Sequence, residues 1–269
     1  MLLNTDGHGN VSYTFETAEL NKRRVLDYWT PERKAAAVPI DRTAGLCADG
    51  GLLAGATEPQ LADLSKMPFM AGGKLFFSKD NKNYVASAEL ICRRNLVLTA
   101  AHCIQDKTTG HLGDNYMFER CYNDGSSAEK LTFKTVALKA YWYEQKAWKW
   151  DYAFAVLNED SALTTPLTYS TQDVNGMVLT DYGYPSNNFS GKRMSFVEGA
   201  CRNNSDGTRI IDGDRMGPGG SGGAWLIKGS STVVGLNSFG PGVGAVMYAG
   251  SPVFDAEFDS LYQYVISLL

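Results

Sequence analysis

Three short segments of the sequence carry side chains that could perform acyl transfer, and they occur in the order histidine, aspartate, serine. They are LTAAHC at 98–103, WDYAFAVL at 150–157 and GPGGSGGAW at 217–225. A serine hydroxyl is a weak nucleophile near neutral pH, so it needs an imidazole to accept its proton and a carboxylate to orient that imidazole. His102, Asp151 and Ser221 supply these three groups.

The glycines around Ser221 suit the same chemistry. Without side chains, the backbone approaches a substrate closely and points N–H groups at the oxygen that becomes negative during acyl transfer. Each segment alone is a weak signal, because a glycine-flanked serine is often a turn, a lone histidine is often a core residue and an aspartate before a strand is often a solvated cap. Their joint occurrence in this order favours the catalytic interpretation.

The segment GGSGG at 219–223 also fits the GxSxG nucleophile elbow of α/β-hydrolases. That fold places its catalytic histidine after the serine in the chain. The histidines here are His8, His102 and His111, and none follows Ser221. Chain order therefore excludes a complete α/β-hydrolase triad. His111 has no motif around it and is expected on a surface loop.

The elements that would position these residues are predicted to be short strands between turns. The clusters Asn123-Asp124-Gly125 and Ser205-Asp206-Gly207 predict turns. The alternation of strands and helices that marks a parallel sheet is missing, which favours an all-β fold. The predicted strands are 74–77, 84–91, 96–99, 152–157, 177–184, 224–227 and 232–239.

Helices are predicted near both ends of the chain. Residues 15–37 have a helix-forming composition, in which Thr30 is a predicted N-cap, Pro31 the first helical residue and Val38-Pro39 a stop signal. A C-terminal helix is predicted to dock an apolar stripe on the β core. The stripe consists of Phe258, Leu261, Tyr262, Val265, Ile266 and Leu269.

The composition of the sequence changes near residue 66, which predicts that the chain consists of two parts. The glycine-rich segment at 43–56 has the composition of a flexible linker. We therefore expect an N-terminal extension at 1–66, either inert or a propeptide, and a main domain at 67–269.

Composition narrows the classes of function. The 269 residues include 25 basic and 29 acidic side chains, a net charge of −4 with no block of like charge, so a nucleic-acid partner is not expected. No apolar run reaches the roughly 18 residues of a membrane span, and a membrane partner is not expected. Five cysteines, three histidines and the absence of CxxC and HExxH spacing indicate neither a metal site nor a cofactor.

The segments LVLTAAHC, DYAFAVL and GGSGGAW together resemble the chymotrypsin-like serine peptidases, in particular their trypsin-like and V8 (glutamyl endopeptidase)-like branch. The resemblance implies two packed antiparallel six-stranded β-barrels, with a C-terminal helix and a partly helical N-terminal extension. By motif, Ser221 matches the nucleophile, His102 the general base and Asp151 its orienting carboxylate. The N–H groups of Gly219 and Ser221 match the oxyanion hole.

The same resemblance implies a serine endopeptidase that acts on protein or peptide substrates. WTPERKAAA is similar to the leader of secreted microbial members, which implies an extracellular protein. Relatives commonly bridge the cysteine after the histidine to one in the preceding strand. The position sixteen residues before Cys103 is Ser87, so the pairing of Cys103, with Cys92 nearer in sequence, stays open. A catalytically silent homologue that serves as a binding module is the alternative.

Specificity is expected to depend on Arg215 and on the segment Asn237-Ser238-Phe239-Gly240, which resembles the strand that pairs with the substrate backbone. Trypsins carry an acidic residue where this chain has Arg215, so a preference for Lys or Arg is disfavoured. Arg215 would either bind an acidic side chain or point to solvent. Glutamyl-specific relatives use a histidine where Asn237 stands, and Gly240 leaves the pocket open to an apolar residue.

Gly220 bears on activation. Trypsin-like zymogens have an aspartate at this position, which pairs with the newly freed N-terminal amine. With glycine there the ion pair cannot form. The site is therefore expected to be formed with residues 1–66 attached, whether the extension is inert, inhibitory or a partner of the site.

Overall fold

The computed structural model describes residues 2–15, 18–40, 55–241 and 247–269, and most of its regular structure is β-strand. The strands are β1 (Leu2–Thr5), β2 (Asn10–Thr14), β3 (Val38–Pro39), β4 (Gln60–Leu61), β5 (Gly72–Lys79), β6 (Lys82–Leu90), β7 (Leu96–Thr99), β8 (Asp114–Arg120), β9 (Glu129–Lys139), β10 (Ala153–Leu157), β11 (Thr168–Tyr169), β12 (Val178–Gly183), β13 (Ser195–Asn203), β14 (Thr208–Asp212), β15 (Ala224–Ile227), β16 (Thr232–Leu236) and β17 (Tyr248–Pro252). The α-helices are α1 (Ala18–Tyr28), α2 (Pro31–Ala36), α3 (Ala101–Ile104), α4 (Tyr141–Gln145) and α5 (Ala256–Ile266). Short 3-10 turns occupy Phe69–Ala71, Trp148–Trp150 and Phe189–Gly191.

Six antiparallel strands close into a barrel in the first half of the fold. Their order is β9-β10-β7-β6-β5-β8, and β8 pairs back with β9 to complete the ring. Every residue of β5 and of β10 is buried, so these strands are covered on both faces. Such strands read as continuous apolar runs bounded by turns, which is how the sequence predicted them.

The second half of the fold is another antiparallel sheet. Its main path is β16-β15-β12-β13-β14-β17, with β11 parallel to β16 and β4 beside β13. A single bridge between Phe239 and Gly250 connects the chain after β16 to β17 and curls the sheet. The main apolar core runs through the first barrel and continues under this sheet.

The predicted strands are confirmed, with ends that shift by a few residues. The strand predicted at 232–239 ends at Leu236, because the chain then turns into the bridge at Phe239. The sequence interpretation missed β8, β9, β13, β14 and β17, and also the hairpin β1–β2. Each of these segments contains Asp, Asn, Glu, Lys or Gly, residue types that are depleted in strands, so its local strand propensity is weak until the fold pairs and packs it.

The N-terminal segment is built into the first barrel. Strand β2 pairs with β9 over five residues and widens the sheet. Helix α1 lies on the barrel, where Val25 and Trp29 are buried and the Trp29 indole donates to the carbonyl of Asn115 at 2.6 Å. The predicted start of α2 is confirmed, since the Thr30 hydroxyl accepts from Arg33 N. Most of the predicted linker at 43–56 falls outside the described residues.

The C-terminal helix α5 forms as predicted and packs on the core. Asp255 caps its start by accepting from Glu257 N and Phe258 N. Phe258, Leu261 and Val265 are buried, each stabilising the fold by about 1.5–3 kcal/mol. The assignment of Leu269 to this stripe is wrong: the helix ends at Ile266, and Leu269 is 46% exposed.

Candidate active site

The three residues of the predicted triad come from three different connections. His102 lies in α3 directly after β7, and Asp151 immediately precedes β10; both therefore belong to the first barrel. Ser221 lies between β14 and β15 of the second sheet, in a segment at 217–223 that we call the nucleophile loop. Antiparallel pairing of β7 with β10 places Thr99 opposite Ala153, which brings the two barrel residues together.

Asp151 holds His102 through two hydrogen bonds. Its Oδ2 lies 2.7 Å from His102 Nδ1, and its Oδ1 accepts from the His102 backbone N at 2.8 Å. The Ser238 hydroxyl donates to Oδ2 as well, so the fully buried carboxylate is well solvated by the protein. Burial alone would lower the pKa of His102, but the Asp151 carboxylate raises it above its ordinary value.

Two buried polar atoms at this place have no hydrogen-bond partner among the described residues. They are His102 Nε2 and Ser221 Oγ. The loops that carry them are in contact: a Cβ on Gly222 would lie 2.2 Å from Thr99 Oγ1 and 2.9 Å from Ala100 N. Only glycine fits there, and its φ of +81° also favours glycine. Catalytic hydrogen bonds are often long without substrate, so this arrangement suits a proton transfer between the two side chains.

In the part of the chain that the structure describes, two N–H groups of the nucleophile loop are left without a backbone acceptor by the way its carbonyls are bound. The carbonyl of Pro218 accepts from Ser186 N at 2.8 Å, and that of Gly220 accepts from Gly223 N at 2.9 Å. In a trans peptide the N–H points away from the carbonyl, so the N–H groups of Gly219 and Ser221 face the opposite direction. Neither has a backbone acceptor among the described residues. Such a pair can bind a negatively charged oxygen.

Ser87 of β6 fixes this loop, and the sequence interpretation missed that role. Its backbone N donates to Ser221 O at 2.8 Å, and its hydroxyl donates to Gly219 O at 3.0 Å while accepting from Tyr184 N at 2.9 Å. The Thr99 hydroxyl in turn holds Ser87 O at 2.9 Å. The first barrel thus sets the orientation of the loop on the second sheet. No local sequence signal marks Ser87, because all of its partners except Thr99 are distant in the chain.

The expected specificity residues lie in different surroundings. Arg215 is about half exposed and pairs with Glu58, with Nη1 2.7 Å from Oε2. Asn237 is buried, and its amide donates to Asp181 Oδ1. The Phe239 ring packs 5.4 Å from that of Trp148, whose ring lies 6.3 Å from the His102 imidazole. Gly240 follows Phe239 and is buried.

Cys103 is a buried free thiol, and Cys92, Cys121 and Cys201 are also free. Cys47 lies outside the described residues. Within the described ranges, no group of three or more His, Cys, Asp or Glu residues could hold a metal ion. Across the same ranges, no helix is long and apolar enough to cross a bilayer.

Comparison with known proteins agrees with this architecture. The thermostable serine protease AL20 from an extremophilic microorganism is 26% identical with a TM-score of 0.67, over 73% of this chain and 97% of its own. Protease Anisep from Arthrobacter nicotinovorans is 25% identical with a TM-score of 0.68, and the match covers 77% of this chain and 98% of its own. A Glu endopeptidase shares the fold at 18% identity with a TM-score of 0.63, and the match covers 78% of this chain and 96% of its own. No curated protein sequence matches the chain.

These solved structures confirm the predicted chymotrypsin-like fold. The family model of the trypsin-like peptidase domain matches residues 85–236, more than half of the chain and a span that includes His102, Asp151 and Ser221. The chain therefore belongs to the trypsin-like peptidase family.

Proposed function

We propose that this protein is a serine endopeptidase that cleaves peptide bonds through an acyl-enzyme on Ser221. The observation that carries the proposal is that two unpartnered polar atoms lie on segments that contact each other. His102 is held at Nδ1 by Asp151, its Nε2 is unpartnered, and the Ser221 hydroxyl is buried and unpartnered on an abutting loop. A binding module would have no need to keep both polar atoms unsatisfied, since a buried polar atom without a partner destabilises the fold by about 1–3 kcal/mol.

The proposed reaction has two halves. Ser221 Oγ attacks the scissile carbonyl carbon while its proton passes to His102 Nε2, and the N–H groups of Gly219 and Ser221 bind the resulting oxyanion. The tetrahedral intermediate collapses, the C–N bond breaks, and His102 gives its proton to the departing amine. Water then attacks the ester with His102 again as base, which releases the acid product and restores Ser221.

Labelling and turnover together test this proposal. Wild-type protein should react covalently with a fluorophosphonate at Ser221 and hydrolyse peptides, while Ser221→Ala should fold normally, take no label and lose about 10⁴–10⁶ in kcat. An intact wild-type protein that takes no label and cleaves nothing would favour the silent binding module. Wild-type proteolysis by pure Ser221→Ala would refute the role of Ser221.

For the substrate residue before the scissile bond, we propose a medium or large apolar side chain. The Arg215 guanidinium is engaged with Glu58 at the surface and the Asn237 amide with Asp181, which leaves neither group dedicated to a substrate carboxylate. Peptides that differ only at this residue (Glu, Lys, Phe, Leu) should show Phe or Leu as best. Lys as the best substrate would overturn the argument, and a Glu preference that Arg215→Ala removes would assign the specificity to Arg215.

An extracellular location is part of the proposal, and it rests on the resemblance of residues 29–37 to secreted leaders. Recovery of the protein from the culture medium of its source cells, against a cytoplasmic marker, checks it.

A further inference from the structure

A cavity of about 560 Å³ lies where the N-terminal segment meets both sheets, and we call it the junction cavity. The N-terminal segment contributes Trp29, Lys34 and Pro39, and the first barrel contributes Lys74 and Lys130. The second sheet side contributes Tyr184, Ser186 and Lys192. No step of the proposed reaction uses this cavity.

The junction cavity reaches the nucleophile loop. Tyr184 O lies 2.7 Å, and Pro39 Cβ 3.5 Å, from the point that a Cβ on Gly219 would occupy. Ser186, which also lines the cavity, donates its N–H to Pro218 O. The lining of the cavity therefore contacts the nucleophile loop at the proposed oxyanion donor Gly219, and it includes no residue of 237–240, the segment expected to pair with the substrate backbone.

A peptide segment in this place cannot add a strand to β6. One edge of β6 is paired with β5, and at Tyr84 and Val85 the other edge is covered by β3. Ile40 N also donates to Val85 O at 3.0 Å. Because both edges of β6 are already paired here, a ligand in the cavity must be recognised by the side chains that line it.

The charged side chains of the cavity are mostly cationic. Lys34 pairs with the buried Glu119 and Lys192 pairs with Asp124 at 3.2 Å. Among the described residues, the two other lysines that line it, Lys74 and Lys130, form no ion pair in direct contact, although the Glu119 carboxylate lies close enough to interact with Lys74. A net positive charge therefore remains at the mouth of this space.

Lys74 is the most unusual of these lysines. It is 7% exposed, its Nζ donates to the carbonyl of Gly191 at 2.7 Å, and it lies 4.9 Å from the centre of the Tyr122 ring. Burial lowers the pKa of Lys74 to about 8, and the nearby Glu119 carboxylate offsets this only in part. A ligand carboxylate in contact with Lys74 would add to that counter-charge.

We infer that the junction cavity binds the part of the substrate that follows the scissile bond and selects a carboxylate side chain there. Its aspartate or glutamate oxygens accept from Lys74 Nζ, with Lys130 at the rim, while Trp29 and Pro39 pack against the aliphatic stem. The inference rests on the proposed peptidase function, and it makes the N-terminal segment part of the substrate-binding surface.

The test compares quenched fluorescent peptides that are identical except for Glu, Gln or Lys at each of the three positions after the scissile bond. At one of them, Glu should exceed Gln in kcat/KM by about tenfold and Lys by more, with the advantage shrinking as salt rises. Lys74→Met should abolish the difference between Glu and Gln, and Lys130→Gln should reduce it. The control Lys228→Gln, which removes a lysine paired with Glu198 on the second sheet, should leave it intact.

A small ester that carries no residue after the scissile bond separates the two proposals. All variants should hydrolyse it at the wild-type rate, which also shows that Lys74→Met is folded. If the ester is cleaved and no position prefers Glu over Gln, the inference fails while the peptidase assignment stands. If wild-type protein cleaves neither ester nor peptide, the proposed function itself fails. Should Lys74→Met not fold, an unchanged Glu preference in Lys130→Gln together with no salt dependence overturns the inference.

Discussion

At the scale of single residues, Ser87 joins the two halves of the site. Its hydroxyl lies between Tyr184 N and Gly219 O, accepting a hydrogen bond from the first and donating one to the second. The Gly219–Gly220 peptide, which adjoins the peptide that carries the Gly219 N–H, is therefore oriented before substrate arrives. Gly220 has no side chain that could organise the loop, so these contacts to its backbone hold it.

Ser87→Ala should lower kcat about tenfold to hundredfold, less than the loss of an oxyanion donor itself, with little change in KM. The reason is that the loop keeps the Gly219 N–H but loses the hydrogen bond that holds the adjoining Gly219–Gly220 peptide, which weakens binding of the transition state alone. The measurement is steady-state kinetics together with the affinity of a peptide boronate, which should fall in proportion to kcat. Ser251→Ala is the matched control, since that buried hydroxyl also accepts a backbone N–H and donates to a carbonyl. Equal losses of kcat in Ser87→Ala and Ser251→Ala would show that Ser87 has no specific role in positioning the nucleophile loop.

The pKa of His102 makes a second prediction at this scale. Only the neutral imidazole can accept the Ser221 proton, and the Asp151 carboxylate raises the His102 pKa. The rate kcat/KM should therefore rise with pH through an apparent pKa above the ordinary value of about 6.5. In Asp151→Asn this limb should move to lower pH while the maximum rate falls. A wild-type limb below pH 6 would contradict the prediction.

At the scale of elements, the N-terminal segment behaves as part of the first barrel. Strand β2 extends the sheet, α1 covers β8 and β9, and β3 lies against β6. Asn21 Nδ2 donates to the carbonyl of Phe133 in a buried contact, and Arg24 pairs with Asp114. We therefore propose that this extension stays attached during catalysis and does not act as a removable inhibitor.

Trp29→Ala should lower the free energy of unfolding by about 3–5 kcal/mol, because it empties a buried site and removes the hydrogen bond to Asn115. Urea titration measures the loss. Leu20→Ala, on the exposed side of α1, is the control and should change stability by less than about 0.5 kcal/mol. If Trp29→Ala and Leu20→Ala have the same free energy of unfolding, the N-terminal segment does not stabilise the first barrel and the proposal is wrong.

At the scale of the whole molecule, the junction between the two sheets contains a buried acid. Glu89 of β6 is fully buried, and neither of its carboxyl oxygens has a partner among the described residues. It pairs in the sheet with Gly72, against which Tyr182 of the second sheet packs. Burial raises the pKa of Glu89 well above its ordinary range, so the native state holds it protonated.

This proton makes stability depend on pH. A carboxyl whose pKa is raised by folding contributes its full stability below the unfolded pKa of about 4.3 and loses it as pH rises toward the native pKa. Glu89→Gln mimics the protonated form, so its Tm should match wild type near pH 4.5 and exceed it increasingly toward pH 9. Thermal unfolding across this range measures the difference. The exposed Glu144→Gln serves as control, and a parallel profile for all three proteins would contradict the prediction.

Several features of this protein are encoded by a few neighbouring residues and can be predicted without the fold. The cap at Thr30, the strands around the motifs, the apolar stripe of α5 and the family motifs all follow from local residue types and periodicity. The candidate triad could be chosen because each member lies in a short motif and the motifs keep a fixed order. Two ends of these elements were wrong, the strand end at 237–239 and the stripe end at Leu269, because nothing local marks where the strand or the helix stops.

Other features depend on barrel closure and strand register, and they form only in the tertiary structure. The hairpin β1–β2 has no strong pattern of its own and becomes a strand pair only by joining β9, more than a hundred residues away. Ser87 acquires its role from a contact with Gly219 across 132 residues, and the junction cavity exists only where three parts of the chain meet. Such contacts are set by which strand edges and surfaces the fold brings together, and no short segment of the sequence contains that information.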